Sequence, residues 1–108
     1  MTFSSDGKLT INEIIWQVVA SIPKGSVTTY GQVAKLAGCP NHARYVGATL
    51  KNLPKDSKLP WHRVINAKGE ISFPVNSDAY QRQRLRLEAE GIIFNATKIS
   101  LKRYLWHL

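Results

Sequence analysis

The stretch TYGQVAKLAGCPNHARYVGATLK, residues 29–51, decides the fold. Thr29-Tyr30-Gly31-Gln32 carries the side chains of a capping box, in which the threonine hydroxyl takes the N–H of the third helical residue and the glutamine reaches back. A short helix is expected from there through Ala37, burying Val33, Leu36 and Ala37, with Gly38 supplying its left-handed end. After Cys39 and Pro40, Asn41 is placed to cap a second helix. In it Ala43, Val46, Gly47 and Leu50 recur at i, i+3, i+4, i+7, while His42, Arg44, Tyr45, Ala48 and Lys51 face outward. Two short helices joined by a glycine-containing turn form a helix-turn-helix, and the second is the candidate recognition helix.

Gly47 costs that helix roughly 0.5–1 kcal/mol relative to alanine. Its presence implies a close approach, either by the first helix of the domain or by a nucleic-acid backbone. Arg44 and Lys51 on the outward face have a plainer role as solvated charges, and Tyr30 as a half-buried ring at the edge of the core.

Upstream, Thr10-Ile11-Asn12-Glu13 is another capping box. Ile11, Ile14, Ile15, Val18, Val19 and Ile22 then line one helical face until Pro23 and Gly25 end it, which predicts a core helix without chemistry of its own. Downstream, Asn52-Leu53-Pro54 stops the recognition helix, because the residue before a proline is pushed out of helical geometry. After a polar loop over residues 55–58, residues 59–65 read as an extended segment. A turn at residues 66–69 then returns residues 70–73 as an antiparallel partner, a small hairpin or wing. A last long helix is expected from Ser77-Asp78 to Glu90, closed by Gly91. Arg82, Arg84 and Arg86 alternate along it and read as a solvated basic surface. The apolar residues 92–94 and 99–106 complete the core.

The chain has 108 residues, with 15 Lys+Arg against 7 Asp+Glu and a formal charge of +8. That length predicts a single domain over residues 1–108, and that balance points to a polyanion, most often nucleic acid. The first six residues have neither the basic region nor the apolar core of a leader, and no apolar run approaches a membrane span, so a soluble protein of the cytoplasm or nucleoid is expected. One cysteine permits no internal disulfide. The scattered His42, His62 and His107 match no metal-ligand spacing, and neither a phosphate loop nor a hydrolase triad is present, so no metal and no cofactor are expected.

The chemistry concentrates in Pro60-Trp61-His62-Arg63-Val64. Proline, a small nucleophile and His-Arg-Val would form a reactive centre, the imidazole taking the thiol's proton. Trp61 stands in the nucleophile's place, and an indole has no atom able to attack an alkyl carbon. Cys39, in the turn between helices with no histidine beside it, reads as a small buried hydrophobe.

Thr29-Tyr30-Gly31-Gln32-Val33-Ala34, Ala43-Arg44-Tyr45-Val46-Gly47-Ala48, Lys51-Asn52, Pro60-Trp61-His62-Arg63-Val64-Ile65 and Leu87-Glu88-Ala89-Glu90-Gly91 occur in this order. Across about residues 11–94 the chain resembles the C-terminal domain of O6-alkylguanine-DNA alkyltransferases, and more closely the alkyltransferase-like proteins, in which tryptophan replaces the reactive cysteine. The resemblance implies a mostly α fold with a small β-hairpin, a winged-helix-like DNA-binding domain of the alkyltransferase C-terminal type. It implies minor-groove binding, with Tyr30 crowding the phosphate to rotate the nucleotide outward, Arg44 filling the gap, and Gly47 and Ala48 kept small. The lesion pocket would comprise Trp61, His62, Arg63, Val64, Asn52, Phe73 and Glu90. Asn52 would be the hinge that supports the active-site turn, and His62 and Glu90 the former activators of the thiol. The implied function is recognition and flipping of O6-alkylguanine in double-stranded DNA without alkyl transfer. The partners would be that DNA and nucleotide excision repair proteins, and the state a monomer. Residues 72–76 lack the Tyr-Ser-Gly character of active transferases, which leaves adduct size open.

A second reading, a winged-helix regulator that reads DNA sequence, explains the charge and the helix-turn-helix. It leaves Pro60-Trp61-His62-Arg63 unexplained, and the recognition helix is short of side chains that read major-groove edges.

Overall fold

The computed structural model describes residues 9–54 and 56–107; residues 1–6, on which the expectation about a leader rests, and the first residue of the polar loop, Lys55, lie outside the described residues. Helix α1 (Ile11–Ala20) begins on the expected capping box, with the Thr10 hydroxyl accepting from the Glu13 N–H and the Glu13 carboxylate accepting from Thr10. Ile15, Val19 and Ile22 are buried, whereas Ile11, at the exposed start of the face, is not.

Strand β1 (Thr28–Thr29) runs straight into α2 (Tyr30–Leu36), for which Thr29 is the cap: its side chain accepts from the Gln32 N–H. Val33, Ala34 and Ala37 go inward and Leu36 stays exposed, because the inner stripe of this helix runs through positions 33, 34 and 37 and leaves 35 and 36 facing out. Gly38 has the expected positive φ of 83°. Helix α3 (Ala43–Lys51) follows, capped by His42 with no side-chain hydrogen bond. Asn41, expected as the cap, instead takes a left-handed turn conformation at φ 71°, which removes its side chain from the capping position.

Residues 59–65 are not a continuous extended segment. Trp61–Arg63 forms a 3₁₀ turn, held by the Arg63 N–H to Pro60 carbonyl bond of 3.0 Å, and only Val64–Ile65 (β2) is a strand. Strand β2 pairs in parallel with β1, Thr28 opposite Val64 and Thr29 opposite Ile65. Residues 70–73 form no antiparallel strand against 59–65, so the wing expected there is absent. The Asn66 side-chain oxygen takes the Lys68 and Glu70 N–H groups, closing a tight turn, and Gly69 and Glu70 pair instead with Ile99 and Lys98. The small hairpin of the fold lies later, where β3 (Phe94–Asn95) and β4 (Lys98–Ile99) pair antiparallel.

Helix α4 (Asp78–Ala89) is capped by Ser77 and closed at Gly91, as expected. Residues after Phe94, unreadable from sequence motifs, close the fold: α5 (Leu101–Tyr104) leads to a segment in which Trp106 donates to the Val27 carbonyl at 2.7 Å and Val27 donates to Tyr104 at 2.9 Å.

Two apolar clusters result. Val64 packs with α1, α2 and Val46 of α3; its neighbour Ile65 packs with Val27, Ile71, Tyr80, Leu87, Ile92 and Ile99. Successive residues of a strand point to opposite faces, so β2 divides the two clusters and ties the helix-turn-helix to α4.

Gly69 has φ 81°, and a Cβ there would lie 2.7 Å from the Ile99 carbonyl oxygen, whereas Gly38 at φ 83° faces open space. Gly69→Ala is therefore expected to cost more than the roughly 1–3 kcal/mol of an unfavourable backbone conformation, and Gly38→Ala no more than that. Urea unfolding midpoints of the two variants check this; equal losses would contradict the packing at Gly69.

Candidate nucleic-acid interface

Helix α4 is fastened behind the Pro60–Val64 stretch by a single buried amide. Gln83 Nε2 donates to the carbonyls of His62 (3.1 Å) and Val64 (3.0 Å), which fixes the 3₁₀ turn against the helix. The C-terminal end of α4 brings Glu90 to the same place. Arg63 grips its carboxylate through Nε (2.9 Å) and Nη2 (2.7 Å), while Nη1 donates to the Ile22 carbonyl at the end of α1. His62 Nε2 lies 2.7 Å from Glu90 Oε2, and the Gly25 N–H adds a longer bond of 3.3 Å.

Burial acts to raise the Glu90 carboxyl, but the bonds from Arg63, His62 and Gly25 outweigh it and hold the group down at about 2. His62 is shifted the same way for a different reason: burial disfavours its cation, and Arg63 and Arg86 add to that against the pull of Glu90. The ring is therefore neutral at neutral pH, its Nε2–H donating to the carboxylate, and its buried Nδ1 has no partner among the described residues.

Trp61 stands in front of this network. Its indole meets the edges of Phe73 (centroids 6.4 Å apart, 84° between planes) and His62 (6.3 Å, 90°), and the Arg86 guanidinium lies 5.4 Å from its ring centre. Together with Phe73 and Ser72 it forms one wall of a cavity of about 490 Å³; Tyr30 and the Ala43, Arg44, Gly47, Ala48, Leu50 and Lys51 face of α3 form the other. Of the predicted site residues, Tyr30, Arg44, Gly47, Ala48, Trp61 and Phe73 thus come together around one opening. His62, Arg63 and Glu90 do not line it but form the network behind Trp61, and Val64 lies in the core against α1, α2 and Val46. Asn52 also lies off the cavity, at the C-cap of α3, and its side chain has no hydrogen bond among the described residues.

Burial raises the Tyr30 hydroxyl, against a smaller lowering by Ser72 beside it, so the phenol is neutral. A Cβ at Gly47 would lie 3.8 Å from the Tyr30 ring, an ordinary contact. The neighbour over Gly47 is therefore α2, not α1, and it leaves room for a methyl group. Close packing inside the protein does not require this glycine.

Arg86 and Gln83 were missed in the sequence. Arg82 and Arg86 are four apart and share a helical face, a signal available from spacing alone. Arg84 is not simply solvated either: it donates to the Ala96 carbonyl and lies 4.2 Å from the Phe94 ring centre.

Residues 10–92 match the model of the family described as 6-O-methylguanine DNA methyltransferase, DNA binding domain. The chain belongs to that family. Its relatives place it on the alkyltransferase-like branch. It is 54% identical over 94 residues to the DNA base-flipping protein of Escherichia coli K12, covering 86% of this chain and 71% of that one. It is 42% identical over 97 residues to alkyltransferase-like protein 1 of Schizosaccharomyces pombe, covering 85% of this chain and 90% of that one. The crystal structure of S. pombe Atl1 in complex with damaged DNA containing O6-carboxymethylguanine superposes with a TM-score of 0.83 at 39% identity, over 91% of this chain and 95% of that one. O6-methylguanine methyltransferase of Mycobacterium tuberculosis gives 0.65 at 33% identity, over 73% of this chain and 47% of the longer enzyme. Among the described residues no helix of this alkyltransferase-like protein is long and apolar enough to cross a membrane, and no cluster of metal-ligating side chains occurs.

The titrations set the pH dependence of stability. A depressed carboxyl favours folding above its unfolded value of 4.5, and that contribution is lost as pH falls from there toward 2. A depressed histidine acts in the same direction, because the unfolded chain takes up its proton first as pH falls through 6.5. Tm is expected to decline below about pH 6.5 and more steeply below about 4.5. Glu90→Gln should lower Tm at pH 7 and flatten the steeper limb; a variant with an unchanged acid profile would show that Glu90 is not the group responsible.

Proposed function

We propose that this protein binds double-stranded DNA through α2 and α3 from the minor-groove side and flips an O6-alkylated guanine into the cavity between α3 and Trp61. It holds the base without alkyl transfer and so marks the lesion for nucleotide excision repair proteins. The observation that carries this reading is the shared opening of Arg44, Gly47, Ala48, Tyr30, Trp61 and Phe73 on a chain of charge +8. The names and complexes of the relatives support it. The protein acts as a single-domain monomer in the cytoplasm or nucleoid, without metal or cofactor.

Each residue then has a physical task. Unstacking a base costs a few kcal/mol, less when alkylation has already spoiled its pairing edge. Tyr30, neutral and wedged at the start of α2, crowds the phosphate; Arg44, exposed on α3, fills the vacated stack. The low ridge at Gly47-Ala48 lets the sugar-phosphate backbone approach the helix. Contact of the extruded base with the indole and Phe73 contributes about 1–3 kcal/mol per base. Trp61 occupies the position of the transferring cysteine, and its ring offers the alkyl group no nucleophile. His62 and Glu90 lose their catalytic purpose and serve as the footing of the tryptophan. The loss of the predicted wing leaves a sequence-reading winged-helix regulator with less to support it.

Matched duplexes carrying guanine or O6-methylguanine at one position, titrated and followed by mass measurement of the protein, test the whole reading. Tighter binding to the lesion with no mass gain is expected; equal affinities would refute lesion recognition, and a methyl-sized gain would make the protein an enzyme. Arg44→Ala should weaken the lesion complex more than the intact one, since only flipping opens the gap it fills. Gly47→Ala should stabilise the free protein by roughly 0.5–1 kcal/mol yet reduce DNA affinity. Unchanged affinity would remove Gly47 from the interface. Trp61→Cys should yield at most weak methyl transfer, read as mass gain over hours.

A further inference from the structure

Trp61 and Phe73 have a second face. Behind them opens another cavity, of about 470 Å³, which shares Leu50, Lys51, Trp61 and Phe73 with the first. Beyond the shared wall it is lined by Leu53, Pro54 and the Ala79, Arg82, Arg86 face of α4. The two spaces differ in their charge-bearing walls. The first has Arg44 and Lys51; the second has Lys51, Arg82 and Arg86, and neither has an aspartate or glutamate in its lining. Neither Arg82 nor Arg86 forms an ion pair with a described residue, whereas Arg63 and Arg84 are paired with Glu90 and Glu88. The Arg86 guanidinium lies 5.4 Å from the centre of the indole ring, on the second cavity's side of the shared wall.

Resting on the base-flipping reading above, we propose that the second cavity is a compartment for the tail of the O6 substituent and that it favours tails ending in a carboxylate. A guanine in the first cavity directs O6 toward Trp61 and Phe73. A methyl group ends at that wall, while a longer chain passes the indole edge and enters the space beyond. Its methylenes lie against Leu53, Pro54 and Ala79. A terminal carboxylate meets the forked donors of Arg82 and Arg86, four residues apart on one helical face and suited to two-point binding of planar anions. An uncharged tail of equal length gains only the apolar contact.

Binding of four duplexes at one salt concentration tests this: unmodified, O6-methylguanine, O6-(3-carboxypropyl)guanine and the corresponding O6-(3-carbamoylpropyl)guanine. Because both arginines are exposed, the acid is expected to bind about three- to ten-fold more tightly than its amide. Arg82→Gln and Arg86→Gln should each shrink that ratio, and the double substitution should abolish it, while binding of the methyl duplex falls by a smaller factor. Arg82→Gln leaves the Arg86–Trp61 stack in place and so separates loss of the anion site from disturbance of the indole. Equal affinity for acid and amide in the wild-type protein would overturn the proposal. So would an equal loss on all four duplexes, which would make the arginines phosphate contacts. A wild-type protein that binds none of the alkylated duplexes better than the unmodified one would instead overturn the flipping reading on which the compartment depends.

Discussion

The rest of the site depends on one carboxylate. Glu90 caps the C-terminal end of α4 and receives the guanidinium of Arg63, the imidazole of His62 and the N–H of Gly25. Through those groups it joins α4, the 3₁₀ turn and the end of α1, because Arg63 also reaches the Ile22 carbonyl. A carboxylate at a helix C-terminus meets the negative end of the helix dipole, and a bidentate arginine overcomes that disadvantage. The geometry leaves Trp61 little freedom: its two neighbours in sequence toward the C-terminus are both clamped to the same anion.

This arrangement separates support from contact. The charged, hydrogen-bonded groups lie behind the indole, and the surface in front of it is aromatic and aliphatic, edged by Tyr30 and Arg44. A flipped base would therefore meet a wall whose position is fixed by ion pairing but whose face is apolar. Binding energy at such a wall comes from dispersion and desolvation, which tolerate different alkyl groups better than a directional hydrogen bond would.

Much of this was legible in the sequence, for reasons that can be named. The caps at Thr10, Thr29 and Ser77 and the terminators Gly38 and Gly91 act within a few residues, so α1, α2 and α4 could be placed from local chemistry. The pairing of β2 could not, since β1 lies more than thirty residues away and the pair is parallel; a local turn at residues 66–69 suggested a hairpin that the Asn66 side chain and β4 in fact divert. Asparagine is favoured both at N-caps and in left-handed turns, and local chemistry does not tell which of the two Asn41 adopts; it takes the left-handed turn. Within the candidate site, the family resemblance named the residues but not their layers. That His62, Arg63 and Glu90 stand behind Trp61 while Ser72 and Leu50 line the opening follows from tertiary packing alone, and the place of Arg86 shows only when the three alternating arginines are divided into a four-residue pair, Arg82 and Arg86, and Arg84 apart from them.

The clasp between Trp106, Tyr104 and Val27 has a meaning apart from the site. A two-stranded parallel pair as short as β1–β2 presents backbone donors and acceptors along its outer edges, and such edges recruit strands from other molecules. The C-terminal segment lies against the approach to β1 and satisfies both the N–H and the carbonyl of Val27 from within the chain. With both backbone groups of Val27 already paired, that edge offers a second copy of the chain no template for strand exchange.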